Sequence, residues 1–254
     1  MAIRRFSWWA IAAIGLFVLE LATRTRTASI SGAFPDVVLW AWESKQDLRF
    51  IQPNTTAVAF LERTVWLHPQ GVRVVPRSQG LSFPPGTPLI ATVRMEMPKS
   101  RTALLPPARE AAAAVVAASK ANGVAALQID FDARLSERKW YADFLRELRS
   151  ATPPNVPITI TALESWCEEE RSWLRALPVA EATPMLFRMG LDERRAPLRF
   201  PTAICESSVG VSTDELPSRI PQGPRRIYIF HPGAWTEPDY LAAMQRVKEW
   251  RAKQ

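Results

Sequence analysis

Histidine and cysteine are scarce in this chain, with two of each among 254 residues. His68 and His231 stand alone, with no HxxxH and no CxxC anywhere. A zinc centre needs three or four nitrogen and sulfur ligands at close spacing, so none is expected. No glycine falls in a nucleophile elbow, a phosphate-binding loop or a dinucleotide-binding turn. Serine-hydrolase, NTPase and dehydrogenase readings therefore lack their usual signatures, and no cofactor is expected. Fixed-period repeats and low-complexity tracts are also missing. The net charge of +7 suggests nucleic acid at first sight. However, Arg4, Arg5, Arg24 and Arg26 flank an N-terminal apolar segment, and the other basic residues are scattered. Without zinc-finger spacing or an aromatic RNA-binding signature, nucleic acid is not an expected partner.

The apolar segment runs from Phe6 to Leu19, follows Arg4-Arg5 and is interrupted by Glu20. Its length resembles a secretory signal more than a long membrane span. Ser31-Gly32-Ala33 has the chemistry of a cleavage site but lies far downstream. A cleaved signal peptide and an uncleaved signal anchor in the inner membrane are both open for residues 1–33. Either places a domain of residues 34–254 outside the cytoplasm, in the periplasm or beyond. In an oxidising compartment Cys167 and Cys205 can form one disulfide; two buried thiols are the alternative. With 47% hydrophobic and 22% charged residues, the chain is composed like an ordinary globular domain.

Periodicity predicts eight strands, in order Val37–Glu43, Ala57–Glu62, Leu89–Glu96, Gly123–Asp132, Pro157–Leu163, Thr183–Arg188, a weaker one beginning at Ala203–Cys205, and Arg226–His231. A hairpin-like excursion falls at Val72–Val75. Helices are expected over Glu110–Ala121 (opened by Pro106-Pro107), Lys139–Ser150, around Trp173–Leu177, and Asp239–Ala252. Ser212–Glu215 has capping-box spacing, with Pro217 keeping any helix short. One domain follows: a (β/α)8 TIM-type barrel, distorted, with outer helices missing or short between strands two and three and around strand seven. An open α/β sheet is the alternative.

The fourth strand is the most informative stretch. Alternation puts Leu127, Ile129 and Phe131 on one face and Gln128, Asp130 and Asp132 on the other. Two carboxylates on one face cost desolvation and mutual repulsion, which a plain core avoids. They stand at the carboxyl end of the strand, where parallel α/β proteins bind ligands. Arg94 and Glu96 share that face on the neighbouring strand, with Val93 and Met95 turned to the helices. Trp42 and Glu43, Glu62 and Arg63, Glu164 and Trp166, Arg188, Glu206 and His231 also fall at strand ends. Acids with separated pKa values beside aromatic platforms suit sugar hydrolysis. Plainer roles compete: a structural ion-pair layer for Arg94, Glu96 and Asp130, core packing for Trp42 and Trp166, and a hydrogen-bonded structural histidine at His231. Asp214 and Glu215 read as helix-start charges, and Glu168–Glu170 as a solvated run at the start of a helix.

Four segments in order, LQIDFDA (127–133), ITITALESWC (158–167), PMLFRMG (184–190) and CESSVGVSTDE (205–215), resemble the bacterial family catalogued as domain of unknown function 3142. That family carries no activity, so the resemblance implies a fold. More distantly, the fourth strand is similar to that of chitinase-like barrels of glycoside hydrolase family eighteen, whose strand four ends Asp-x-Asp-x-Glu. Asp130 and Asp132 match the aspartates, but Arg134 holds the position of the glutamate that serves as general acid. The chitinase mechanism therefore does not carry over.

The leading expectation is an envelope glycosidase-like barrel acting on a polysaccharide or cell-wall glycan. Asp132 would be the ionised nucleophile or base, Asp130 its orienting partner and Glu96 the acid, with Glu62 and Glu164 as further candidate acids. Arg94 would tune the charges, and Trp42, Trp166, Gln128, Arg188 and His231 would contact substrate. Two alternatives stand beside it: a glycan-binding or scaffold barrel without turnover, and a partner-protein module held at the inner membrane.

Overall fold

The computed structural model describes Ile30 and residues 34–98, 104–121, 123–169, 173–187, 199–223 and 226–254. In chain order the strands are β1 (Val37–Ala41), β2 (Gln46–Asp47), β3 (Thr56–His68), β4 (Gly71–Pro76), β5 (Leu81–Ser82), β6 (Leu89–Glu96), β7 (Val124–Asp130), β8 (Ile158–Leu163), β9 (Glu181–Met185), β10 (Ser208–Ser212) and β11 (Arg226–Phe230). The helices are α1 (Ala108–Val116), α2 (Arg138–Ala151), α3 (Glu164–Glu168) and α4 (Glu237–Arg251). β1 pairs in parallel with both β11 and β3, which closes a barrel of eight parallel strands running β1-β3-β6-β7-β8-β9-β10-β11. β4 adds an antiparallel hairpin outside the ring, and Gly71 takes its positive-φ position at the turn.

Strand alternation divides the apolar residues into two sets. Val37, Leu39 and Ala41 of β1, Val93 and Met95 of β6, and Ile129 with Phe131 at β7 join a core between barrel and helices. Val38, Trp40, Ala57, Ala59, Ile90, Ala126 and Tyr228 fill the interior. Three alanines in that set leave room for Trp40 and Tyr228, whose rings lie 5.3 Å apart. Gly210 of β10 completes the space: a Cβ there would stand 2.8 Å from Trp40 Cη2. At the amino-terminal end a buried ionic cluster seals the barrel. Glu181 Oε2 accepts from Arg226 Nη1 at 2.6 Å, Tyr228 donates its hydroxyl to Glu181 Oε1 at 3.0 Å, and Arg226 Nη2 donates to the Ile30 carbonyl at 3.1 Å.

Among the described residues the outer layer is thin. α2 packs Tyr141, Phe144, Leu145 and Leu148 onto the wall, with Phe131 edge-on to Tyr141 at 5.2 Å. α4 opens on a reciprocal cap in which Asp239 N–H donates to Thr236 Oγ1 and Thr236 N–H to Asp239 Oδ2. β1 and β3 are joined without an intervening helix, and the hairpin stands where a helix would follow β3, as expected for a trimmed barrel. Among the described residues no helix is long and apolar enough to cross a membrane. Apart from Ile30, the N-terminal segment lies outside the described residues.

Four sequence readings need correction. The seventh strand does not begin at Ala203–Cys205, which forms a single 3-10 turn; the strand is Ser208–Ser212, where Val209 and Val211 flank Gly210. The sixth is Glu181–Met185, two residues earlier than its apolar run suggested. Glu168 closes α3 rather than opening a helix, so the helix dipole does not favour it there. Ser212–Glu215 forms a strand end and a turn, with the Ser212 hydroxyl bonded to Asp214. Cys167 on α3 and Cys205 are joined by a disulfide, with Cα atoms 5.9 Å apart, and both are fully buried.

Candidate functional site

The carboxyl ends of β1, β6, β7, β8, β9 and β11 surround two adjoining cavities that share Arg94, Asp130 and Asp132. The larger, about 240 Å³, is walled by Trp40, Trp42, Met185, Phe187 and Phe230, with Thr161 and Leu163 from β8. Trp42 meets Phe230 edge-on at 6.3 Å, and Phe230 stacks on Phe187 at 5.9 Å. The smaller, about 110 Å³, adds Glu96, Met97, Phe131, Arg134 and Glu137 and is mostly polar. One side of the mouth is therefore aromatic and the other ionic, with the aspartates on the border.

Each carboxylate has a different setting. Asp130 is half-buried at the end of β7, where Thr161 Oγ1 donates to its Oδ1 at 2.8 Å. Burial pushes its pKa up to about 6; the Thr161 bond pulls it down, Asp132 pushes it up, and Arg94 pulls it down. Asp132 is exposed to solvent, and partial desolvation raises its pKa against the pull of Arg94. Arg94 Nη2 pairs with Glu96 Oε1 at 2.5 Å, while its guanidinium lies 5.8 Å from the Trp42 ring centre. Beneath the mouth, Gln128 Oε1 accepts from Trp40 Nε1 at 2.7 Å and from Thr92 Oγ1 at 3.2 Å, which fixes the indole.

The predicted constellation is thus partly assembled. Asp130, Asp132, Glu96, Arg94 and Trp42 converge at the mouth. Gln128 does not line either cavity; it is fully buried and acts by holding Trp40. Trp166 is no sugar platform: it is buried on α3 behind the wall, edge-on to Trp173 at 5.3 Å with Arg138 over it. His231 turns away from the aspartates into a separate depression with Asp214 and Asp239, its Nδ1 bonded to Thr213 Oγ1 at 2.8 Å. Glu62 is the extra residue of a bulge in β3 and pairs with Arg63, which bonds the Ala114 carbonyl of α1. Glu62 and Glu164 line neither cavity. Arg188 lies outside the described residues.

Sequence reasoning missed Trp40, Thr161, Leu163, Met185, Phe187 and Phe230. For three of them the signal was present in strand parity. Trp40 shares a face with Trp42, Thr161 alternates with Ile160 and Ala162, and Phe230 is inward by the same alternation that turns His231 out. Among the described residues no group of three His, Cys, Asp or Glu side chains could hold a metal ion.

Comparison with known proteins bears on the fold and on the strands that carry the aspartates. The family described as a domain of unknown function (DUF3142) matches residues 85–178. That stretch holds β6, β7 and β8, and with them Arg94, Glu96, Asp130, Asp132 and Thr161; the motifs at 184–190 and 205–215 fall outside it. Among solved structures, the chain is similar to a protein from Streptomyces coelicolor described as a "putative Chitinase A". The two share 12% identity with a TM-score of 0.54 over 82% of this chain and 95% of that one. At that identity the likeness is one of fold, and it agrees with the chitinase-like barrel read from the fourth strand. No curated protein matches the sequence.

Proposed function

We propose that the barrel mouth is a glycan site and that the protein is a glycosidase-like barrel of the bacterial envelope, acting on a polysaccharide or cell-wall glycan. The observation that carries this reading is the pair Asp130 and Asp132, in unlike settings, facing a wall of Trp42, Phe187 and Phe230. Aromatic faces bind the apolar faces of sugar rings, while carboxylates of unequal acidity divide the work of proton donor and nucleophile or base. Asp130, held back from ionising until about pH 6, is the proton holder. Asp132, open to the cavities, takes the part of the nucleophile or base. Glu96 is engaged by Arg94 and serves to hold that guanidinium against Trp42. The disulfide and the apolar stretch Phe6–Leu19 support an oxidising location reached by export or anchoring. The chitinase named for the structural neighbour accords with a glycan ligand.

A second reading, a barrel that binds glycan without cleaving it, is favoured by Arg134 at the position of the chitinase-like general acid. Product analysis by mass spectrometry separates the two. The full-length protein, in mild detergent, is incubated with oligosaccharides from peptidoglycan and exopolysaccharide beside an Asp132→Asn control. Cleavage by the wild type and not by the variant is the expected result. Saturable binding by both with no products would favour the non-catalytic barrel, and neither binding nor cleavage would contradict the glycan site.

A further inference from the structure

The ionic half of the mouth contains a cation that has no carboxylate partner among the described residues. Arg134 lines the smaller cavity beside Asp132, exposed to solvent, and makes no ion pair with a carboxylate among the described residues. Its backbone, by contrast, is fixed. The Arg134 N–H donates to Glu137 Oε2 at 2.7 Å, and its carbonyl accepts from the backbone N–H groups of Glu137 at 2.9 Å and Arg138 at 3.1 Å. The other cation of the cavity, Arg94, is neutralised by Glu96. Glu137 is buried, and its Oε2 is the acceptor of the Arg134 N–H. A planar guanidinium suits the paired oxygens of a carboxylate or phosphate, and the residue that carries this one lines the cleft on a fixed backbone. An arginine kept only for solubility needs no place in a cavity wall.

We infer that Arg134 is a specificity residue that selects glycans carrying an oxyanion, carboxylate or phosphate, on the unit bound in the polar cavity next to the aromatic one. This rests on the glycan reading above and narrows it to acidic glycans. It also gives a role to the substitution that removes the chitinase-like acid, since the same position that would have donated a proton to a neutral sugar now grips a charged one. The carboxylates nearby sharpen the selection. Asp132 repels an anion placed elsewhere in the mouth, so only a ligand whose oxyanion reaches Arg134 gains from its charge.

The test is calorimetric titration of the full-length protein with matched oligosaccharides: a neutral one, its uronic-acid counterpart and its phosphorylated counterpart. Wild type, Arg134→Gln and Arg134→Lys are compared at low and at moderate ionic strength. The expected result is tighter binding of an acidic member than of the neutral one. Arg134→Gln should weaken that member by roughly tenfold or more while moving the neutral one less than about twofold. Arg134→Lys should fall between, because it keeps the charge and loses the fork, and the acidic preference should shrink as salt rises. The uronide and phosphate arms tell which oxyanion is meant. Equal binding of neutral and acidic members, or equal loss of both in Arg134→Gln, would overturn the inference while leaving the glycan site standing. No binding by any member would overturn both.

Discussion

Asp130 gives up water on one side for a strand end and a threonine hydroxyl, and the proposed glycosidase function depends on that exchange. The protein keeps its proton up to about pH 6, whereas the unfolded chain releases it near 3.8. A carboxyl whose pKa is raised by folding contributes most below the unfolded value, and that contribution is lost as pH rises through the folded value. Asp130→Asn cannot ionise but still accepts from Thr161. Its melting temperature relative to wild type is therefore expected to climb between about pH 4 and about pH 7, and under the proposed glycosidase function turnover is lost throughout. Thermal scans across that range check it, and a difference that does not change with pH would contradict the pKa assignment. Of the residues named from sequence alone, Asp130, Asp132, Arg94, Glu96 and Trp42 meet at the mouth because two-residue alternation is a local rule that holds inside any strand. Trp166 and His231 failed for local reasons too. Trp166 lies three residues past Leu163, the last of β8, and already belongs to a helix, while His231 has the wrong parity.

Among the elements, α3 and the 3-10 turn at 203–205 flank β9 and β10 on the outside of the barrel, where the helical layer is thinnest. The Cys167–Cys205 bond ties them across a separation of 38 residues. Constraining a loop of that length in the unfolded chain stabilises by roughly 2–4 kcal/mol. Replacing both cysteines by alanine is expected to lower stability by about that amount in denaturant titrations, and reducing agent should destabilise the wild type alone. Unchanged stability would mean that the bond is not made in solution. The pairing was legible as one of two options, since two cysteines allow a single disulfide, but the turn was not, because spacing alone does not show what brings two distant cysteines together. The same cause misplaced the seventh strand. Its five residues carry a glycine at the centre, and that glycine answers to Trp40 on another strand, which no local window contains.

On the scale of the whole molecule, eight parallel strands were countable from the sequence, and their order round the ring follows chain order. Closure was not countable. It rests on β1 pairing with β11, where the partners Val37 and Ile227 lie far apart in the chain, and on a polar plug of Glu181, Arg226 and Tyr228 at the floor. With the floor sealed and the interior filled by Trp40 and Tyr228, a ligand has the carboxyl-terminal mouth to enter. Trp42 stands at that mouth among ten tryptophans in the chain. The most direct test is an NMR titration of the indole N–H signals with an envelope oligosaccharide, the Trp42 signal being identified by its loss in Trp42→Phe. Saturable movement of the Trp42 indole, with the buried Trp166 and Trp250 unmoved, is the predicted result. Binding that leaves Trp42 and Trp40 still while other indoles respond, or no response at any indole, would contradict a glycan site at the mouth.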